Sequence, residues 1–113
     1  MIKIVDKSTQ EVSVFALEGK LTGLEGRGII QDKVRDSIKS KMNKIVLDMS
    51  KVTWIDSTGL GELIASLSSI KKNDGNLVLT NIQAPVHSLL KMTNLNQIFE
   101  TFETVEDAVK EFG

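Results

Sequence analysis

Apolar residues recur along the chain with two different spacings, which divide it into predicted strands and helices. Residues 12–17 (VSVFAL) combine partial alternation with β-branched and aromatic side chains, which predicts a strand that ends at Gly19. The short apolar run 2–5 before it is a candidate hairpin partner of that strand. The continuous apolar runs 45–47 and 77–79 are typical of strands that are covered on both faces, as in a parallel sheet.

Helical spacing separates and follows these predicted strands. Apolar residues at four-residue intervals predict an amphipathic helix within residues 29–38, and the strongest period in the chain predicts a second helix over 60–70. We expect Gly75 to end the second helix in a left-handed conformation. Two short helices are predicted after it, one with Pro85 in its first turn and one that is capped by Thr104.

Strands and helices therefore alternate, and residues 98–102 are expected to add a short edge strand. This order indicates an α/β fold. In such sheets the functional face lies beyond the carboxyl ends of the parallel strands, where loops enter helices. Segment 52–57 is predicted to be that connection, with Trp54 packed beneath it as a core residue. It leads into 56–61 (DSTGLG), the loop at the start of the strong helix.

The composition of the chain mainly excludes classes of function and of binding site. The chain has 113 residues, 41% hydrophobic and 26% charged, which predicts one globular domain over residues 1–113. Fourteen basic against fifteen acidic residues give a net charge of -1, which argues against nucleic-acid or membrane-surface binding. The absence of cysteine and the single histidine, His87, argue against metal sites. No run resembles a membrane span or a signal peptide, so we expect a cytoplasmic protein without direct membrane insertion.

The charges are unevenly distributed along the chain although they balance overall. Residues 20–51 carry eight basic and four acidic side chains, whereas the last twenty residues carry five acidic and one basic. The simpler interpretation is two solvated helix faces. The alternative is a polarised surface that orients a partner protein.

The loop 56–61 places hydroxyl groups and glycines at the start of the strong helix. Free backbone N–H groups and the positive end of the helix dipole gather there, so they would hold a phosphate placed on Ser57. Gly59 and Gly61 leave the first turn without side chains, which would let another protein approach closely. In the plainer alternative, Asp56 or Ser57 is only an N-cap and the glycines only let the helix pack on the sheet.

Residues 52–61 (VTWIDSTGLG) resemble the signature of the STAS family, which includes the bacterial anti-sigma-factor antagonists. The resemblance extends from residues 14–19 (VFALEG) to the final helix in element order and hydrophobic pattern. It implies an α/β fold with a small mixed β-sheet of four to five strands and about four α-helices packed on it. It also implies a regulatory protein-binding module.

The resemblance further implies a phosphorylation switch. Antagonists of this kind bind an anti-sigma factor that is a serine/threonine kinase, and so free the sigma factor. The kinase phosphorylates the serine after the motif aspartate, here Ser57 with Thr58 as second choice, and a phosphatase restores it. Asp56 and Glu62 would then make the modified patch strongly anionic. The implied partner-binding residues are Thr22, Asp56, Thr58, Gly59, Leu60, Gly61 and Glu62.

Residues 19–22 (GKLT) depart from the family pattern, which is Gly-Glu-Leu/Ile-Asp. Thr22 stands where that aspartate supports phosphorylation or kinase docking, and Lys20 replaces the glutamate. These two residues would interact with a phosphate on Ser57 or with an acidic partner, or Thr22 is only a turn residue before Gly23. The departure favours an alternative role as a docking subunit of a transporter, lipid-transport or stress-sensing complex without a kinase cycle.

Enzyme motifs match this chain poorly. The loop is neither a P-loop nor a complete dinucleotide fingerprint, and no Gly-x-Ser-x-Gly elbow exists. Ser57, His87 and Asp56 form a triad only on paper, because a lone histidine early in a short helix is usually a surface or capping residue. Asp48 with Asp56 is weak evidence for magnesium, and Asp48 is expected to cap the turn after its strand. The prediction is a non-enzymatic protein without catalytic residues, metal or cofactor.

Overall fold

The computed structural model describes residues 2–23 and 27–112. The strands in this part of the chain are β1 (Ile2–Asp6), β2 (Ser13–Leu21), β3 (Lys44–Ile55), β4 (Asn76–Thr80) and β5 (Thr101–Phe102). The α-helices are α1 (Ile29–Lys39), α2 (Ser57–Lys71), α3 (Ala84–Met92) and α4 (Val105–Phe112), and a 3₁₀ turn covers Leu95–Gln97. None of these helices is long and apolar enough to cross a membrane.

The five strands form one mixed sheet in the order β1-β2-β3-β4-β5. The hairpin partners β1 and β2 run antiparallel, and every other neighbouring pair is parallel. The expected mixed sheet of four to five strands with about four helices is therefore confirmed. Because β2, β3 and β4 run in the same direction, their carboxyl ends meet at one edge of the sheet, where α2 begins.

Helices cover both faces of the sheet, although unequally. Helices α1, α2 and α3 pack on one face over a large core that includes Leu17, Leu21, Ile30, Leu47, Leu63, Leu79 and Leu90. Helix α4 packs on the other face over a smaller cluster of Val12, Val14, Val46, Val78 and Ala108. The central strands thus bury both faces, which explains their continuous apolar runs.

Strand β3 is longer than the sequence predicts. Segment 52–55 is not a connection, because β3 runs without a break to Ile55 and α2 begins two residues later. Two register shifts against β2 insert extra residues into β3. The buried residues Met49, Val52 and Ile55 consequently recur at every third position instead of every second. Because of this spacing, the second part of β3 lacks the alternating pattern by which a strand is predicted from sequence.

The turn between α2 and β4 also differs from the prediction. The left-handed residue is Asp74, with φ 59°, and not Gly75. Gly75 is required for a different reason, since a Cβ atom there would lie 2.2 Å from the backbone oxygen of Asn43. The neighbouring Asn76 N–H donates to that same oxygen at 2.9 Å. The glycine therefore lets this turn approach the loop before β3.

The last third of the chain follows the predicted order of elements. Pro85 lies in the first turn of α3, and the Asp107 N–H donates to the Thr104 hydroxyl at 3.1 Å, so the predicted cap of α4 is confirmed. The edge strand β5 is shorter than expected, since it excludes Ile98 and Phe99. Phe99 is instead buried in the large core.

Candidate functional site

Asp56 organises the edge of the sheet where β3 passes into α2. One carboxylate oxygen, Oδ1, accepts from the Gly59 N–H at 2.9 Å and caps the helix. The other, Oδ2, accepts from the Gly23 N–H at 3.0 Å, just after β2. The Asp56 N–H in turn donates to the Leu21 backbone oxygen at 3.4 Å. One residue therefore caps α2 and ties the end of β2 to it, which confirms the N-cap interpretation of Asp56.

These hydrogen bonds favour the ionised form of the Asp56 carboxyl group. The Gly59 N–H contributes most and holds the pKa of Asp56 below its ordinary value of 3.8, and the Gly23 N–H acts in the same direction. The side chain is therefore a carboxylate at neutral pH. It places a fixed negative charge beside Ser57.

The cap predicts a specific dependence of stability on pH. A carboxyl group whose pKa is depressed in the folded state stabilises the fold above its unfolded pKa, and this contribution is lost as the pH falls through the folded value. We expect Asp56→Asn to unfold at a lower urea concentration than the wild type at neutral pH. The difference between the urea midpoints of the two proteins should become smaller below about pH 4, because the wild-type carboxylate is protonated there.

Comparison of the two proteins at each pH isolates Asp56 from the other acids. Asp6, for example, also has a lowered pKa, chiefly through a hydrogen bond with Ser8, but both proteins carry it. Urea unfolding followed by circular dichroism across the acidic range measures this difference. A difference in urea midpoint that stays the same across the acidic range would show that the ionised cap does not contribute to stability.

Ser57 is the first residue of α2 and is exposed to solvent. Thr58 beside it is half-buried, so the serine hydroxyl is the more accessible of the two. Thr22 lies at the same edge, because the next residue, Gly23, is bonded to Asp56. The structure thus brings Thr22, Asp56, Ser57 and Thr58 together around the start of the helix.

Gly59 and Leu60, by contrast, face inward. A Cβ atom on Gly59 would lie 2.1 Å from the Leu21 backbone oxygen, so this glycine serves the contact between α2 and β2. Leu60 is 8% exposed and belongs to the large core. Their predicted contact with a partner is therefore corrected to a role in packing. Gly61 is exposed, and nothing lies within 4 Å of its Cβ position, so it remains on the surface.

Glu62 is also buried, with 4% of its surface exposed. Its Oε2 accepts from the N–H groups of Ile30 at 2.9 Å and Gln31 at 3.1 Å, and its Oε1 accepts from the Gln31 side-chain amide at 2.7 Å. Helix α1 has no side-chain cap of its own at Gly28. Glu62 therefore caps α1 from α2, and the prediction that it joins an exposed anionic patch is wrong.

Comparisons with known proteins agree with this architecture. The family model for the STAS domain matches residues 3–108. The chain belongs to the STAS domain family. A Thermotoga maritima protein, provisionally named an anti-sigma factor antagonist, is 31% identical over 99 residues, which cover 87% of this chain and 88% of that protein. The Listeria monocytogenes anti-sigma-B factor antagonist is 27% identical over 103 residues, which cover 88% and 85%.

Solved structures show the same fold. The crystal structure of the Thermotoga maritima protein superposes with a TM-score of 0.85 at 28% identity, covering 96% of this STAS domain and 92% of that chain. The anti-sigma factor antagonist SpoIIAA in its unphosphorylated form gives a TM-score of 0.81 at 18% identity, covering 97% and 96%. At that identity the second comparison concerns the fold alone.

Trp54 is the main surface residue that the sequence placed wrongly in this STAS domain. It is 49% exposed and does not pack beneath the loop. The register pairs Trp54 with Lys20 on β2. Trp54 lies three positions before Ser57 in the chain. The sequence carries no signal for this, because the exposure of two residues between the buried Val52 and Ile55 follows from the register shifts between β2 and β3.

Ser57, His87 and Asp56 do not form a catalytic triad in this STAS domain. Both carboxylate oxygens of Asp56 accept from backbone N–H groups, and His87 lies exposed on α3. Asp48 lies within β3 and accepts from the Ser50 N–H at 3.0 Å and from the Asn81 side chain at 3.2 Å, so it does not cap a turn after the strand. Within residues 2–23 and 27–112, no group of three or more potential ligand side chains could hold a metal ion.

Proposed function

We propose that this STAS domain is an anti-sigma factor antagonist that is switched by phosphorylation of Ser57. The unmodified protein binds an anti-sigma factor serine/threonine kinase, phosphorylation causes release, and a phosphatase restores binding. The observation that carries the proposal is the exposed Ser57 hydroxyl at the first position of α2, directly after the capping Asp56. The names of the relatives support the same role.

The start of the helix suits a reversible modification. A phosphate on Ser57 would add about −1.5 to −2 charges at a helix N-terminus, where backbone donors and the helix dipole stabilise an anion. The modification therefore leaves the fold intact and changes the surface. A partner that covers this site would have to desolvate the phosphate beside the Asp56 carboxylate. Because Glu62 is buried, these two groups form the anionic patch.

The proposed role is regulatory and not enzymatic. This cytoplasmic module needs no cofactor, metal or nucleic acid, because its output is the occupancy of a protein surface. The residues proposed to contact the partner are Thr22, Asp56, Ser57, Thr58 and Gly61. They lie on the carboxyl edge of the sheet and the first two turns of α2.

Substitution of Ser57 tests the switch directly. We expect Ser57→Asp to weaken binding to the anti-sigma factor kinase of the source organism by about tenfold or more, that is by about 1.4 kcal/mol or more. Ser57→Ala should bind like the wild type and accept no phosphate. An aspartate at the first helical position is favourable, so the Ser57→Asp protein should fold. Binding is measured by isothermal titration calorimetry, and phosphorylation by mass spectrometry after incubation with the kinase and ATP.

Thr58→Val is the matched control, because it removes the neighbouring hydroxyl and keeps a branched side chain. It should still be phosphorylated on Ser57. Phosphate transfer to Ser57→Ala but not to Thr58→Val would move the switch to Thr58. Equal affinity of Ser57→Asp and the wild type for every anti-sigma factor kinase of the organism would contradict the proposal.

A docking role without a kinase cycle is the second candidate function. It is favoured by Thr22, because the residue at the end of β2 offers a hydroxyl beside the start of α2 where a carboxylate is usual in the family. Affinity capture from the host lysate with wild type and Ser57→Asp separates the two roles. Recovery of the same transporter or scaffold subunits by both baits would support the docking role.

A further inference from the structure

Within residues 2–23 and 27–112, no helix lies over one part of the sheet face that carries α4, which we call its open half. Helix α4 packs over β3, β4 and β5, through Ala108 and the partly buried Val105 and Val109. The first part of β2 is covered, since Val14 belongs to the cluster under α4, but β1 and the last residues of β2 and β3 extend beyond this helix. Two rows of side chains cross this open half in register, namely Lys3, Glu18 and Lys51, followed by Lys20 and Trp54.

The direction of these side chains follows from the alternation along β2. Leu17 and Leu21 belong to the large core under α1, α2 and α3, so Glu18 and Lys20 between them point to the opposite face. Trp54 is paired with Lys20 and shares that face. It is the only tryptophan in the chain and is half exposed.

We propose that this open half of the sheet is a docking surface for an acidic segment of the partner protein that engages the start of α2. We call it the Trp54 face and define it by Lys3, Lys20, Lys51 and Trp54. The inference rests on the proposed function. It extends the proposed partner-binding surface from the start of α2 around the edge of the sheet.

The charge of the Trp54 face selects the chemistry of the partner. Lys3, Lys20 and Lys51 are exposed, and the single acid in the same rows, Glu18, lies 3.8 Å from the Lys51 ammonium group. Three positive charges against one negative charge favour acidic side chains opposite them. Tryptophan supplies the apolar anchor, because a large amphipathic ring is over-represented among the residues that dominate binding energy.

The Trp54 face is also close enough to Ser57 for one partner to cover both. Ser57 follows Trp54 by three positions, which at about 3.3 Å per strand residue is a span of about 10 Å. A standard interface buries about 800 Å² on each protein, and a patch of that size extends further than this span. A single partner therefore reaches from the start of α2 to Trp54.

The single tryptophan gives a direct probe of this surface. The chain is labelled with 5-fluorotryptophan, so its ¹⁹F spectrum has one resonance, and the purified anti-sigma factor kinase is added. We expect that resonance to shift or broaden on binding. We expect Trp54→Ala to weaken binding by about tenfold, as for the dominant residues of an interface. Met92→Ala is the matched control, since Met92 is 79% exposed at the end of α3 and should leave affinity unchanged.

Charge reversal tests the acidic character of the partner. Lys20→Glu should weaken binding and reduce its dependence on salt concentration, whereas Lys91→Glu, on the other face of the sheet, should do neither. Circular dichroism and urea unfolding of each variant verify that the fold is retained.

The outcomes separate this inference from the proposed function. An unmoved ¹⁹F resonance, or wild-type affinity of Trp54→Ala, overturns the Trp54 face if Ser57→Asp still releases the partner. If the wild type binds no anti-sigma factor kinase, the proposed function fails first and the inference falls with it. A resonance that moves with the concentration of the chain alone would assign the face to a second copy and overturn the proposed partner.

Discussion

Replacement of Gly59 by alanine is expected to destabilise the fold by roughly 3 kcal/mol, because the added methyl group has no room. Its Cβ atom would lie 2.1 Å from the Leu21 backbone oxygen and 2.8 Å from the Cγ2 atom of Ile55. The nearest atom is backbone, so no side-chain rotation relieves the clash. The Leu21 oxygen also accepts from the Asp56 N–H, so its displacement would weaken the junction of β2, β3 and α2.

Gly61→Ala is the matched control in the same helix. Nothing lies within 4 Å of its Cβ position, and alanine favours a helix over glycine by about 0.5–1 kcal/mol. We therefore expect Gly61→Ala to stabilise the fold slightly while Gly59→Ala weakens it. Urea unfolding at equilibrium measures both against the wild type. Equal midpoints for Gly59→Ala and the wild type would show that α2 can move away from β2 without loss.

The same control reports on the proposed partner surface. Gly61 is exposed on the second turn of α2, where a partner that covers Ser57 would approach. A folded Gly61→Ala protein with reduced affinity would indicate close contact with that turn. Unchanged affinity would place the partner further toward the carboxyl edge of the sheet.

Helix α2 illustrates what the sequence alone could predict. Its apolar residues recur with the helical period because one face packs on the sheet, and this period depends only on neighbours along the chain. The position of Asp56 and Ser57 at the carboxyl edge follows from the α/β order of elements. The family resemblance added the mixed sheet and the proposal that Ser57 is the phosphorylated serine.

The errors arose where distant segments determine the role of a residue. Gly59 and Gly61 look alike in sequence, and only the approach of Leu21 distinguishes them. Trp54 looked like a core residue because it lies in an apolar run, but the register shifts in β3 turn it to the open face. Periodicity cannot report either fact, because each depends on a neighbouring strand.

Glu62 is the clearest of these cases, since its partners lie about thirty positions earlier in the chain. On a helix such a residue is normally a solvated charge, and this is what the sequence predicts for Glu62. In the structure it is buried against the start of α1, and the small Ser66 one turn later is buried as well. The periodicity of apolar residues assigns polar residues to the surface, so it fails for a polar residue at a buried position.

Replacement of Glu62 by alanine should therefore unfold the protein more easily, with a loss of roughly 3 kcal/mol. The change removes the acceptor for the backbone N–H groups of Ile30 and Gln31, and each unsatisfied buried donor costs about 1–3 kcal/mol. It also removes a negative charge from the N-terminus of α1. Urea unfolding gives the loss, and amide hydrogen exchange at Ile30 and Gln31 should accelerate more than exchange in β4.

Two milder variants separate the parts of this cap. Glu62→Gln keeps a carbonyl oxygen for the backbone donors and should lose about 1 kcal/mol, as expected for a weaker, neutral acceptor. Gln31→Ala removes only the side-chain hydrogen bond, 2.7 Å long, and should lose a similar amount. An alanine variant at position 62 that is no less stable than Glu62→Gln would contradict the capping role.

The binding assay then distinguishes the internal role of Glu62 from the surface role first predicted for it. A buried cap changes the fraction of folded molecules but not the surface that the folded molecules present. Glu62→Gln should therefore bind the proposed partner, an anti-sigma factor kinase, with wild-type affinity under conditions where both proteins are fully folded. A loss of about tenfold without a change in the urea midpoint, equivalent to about 1.4 kcal/mol of binding energy, would return Glu62 to the partner surface.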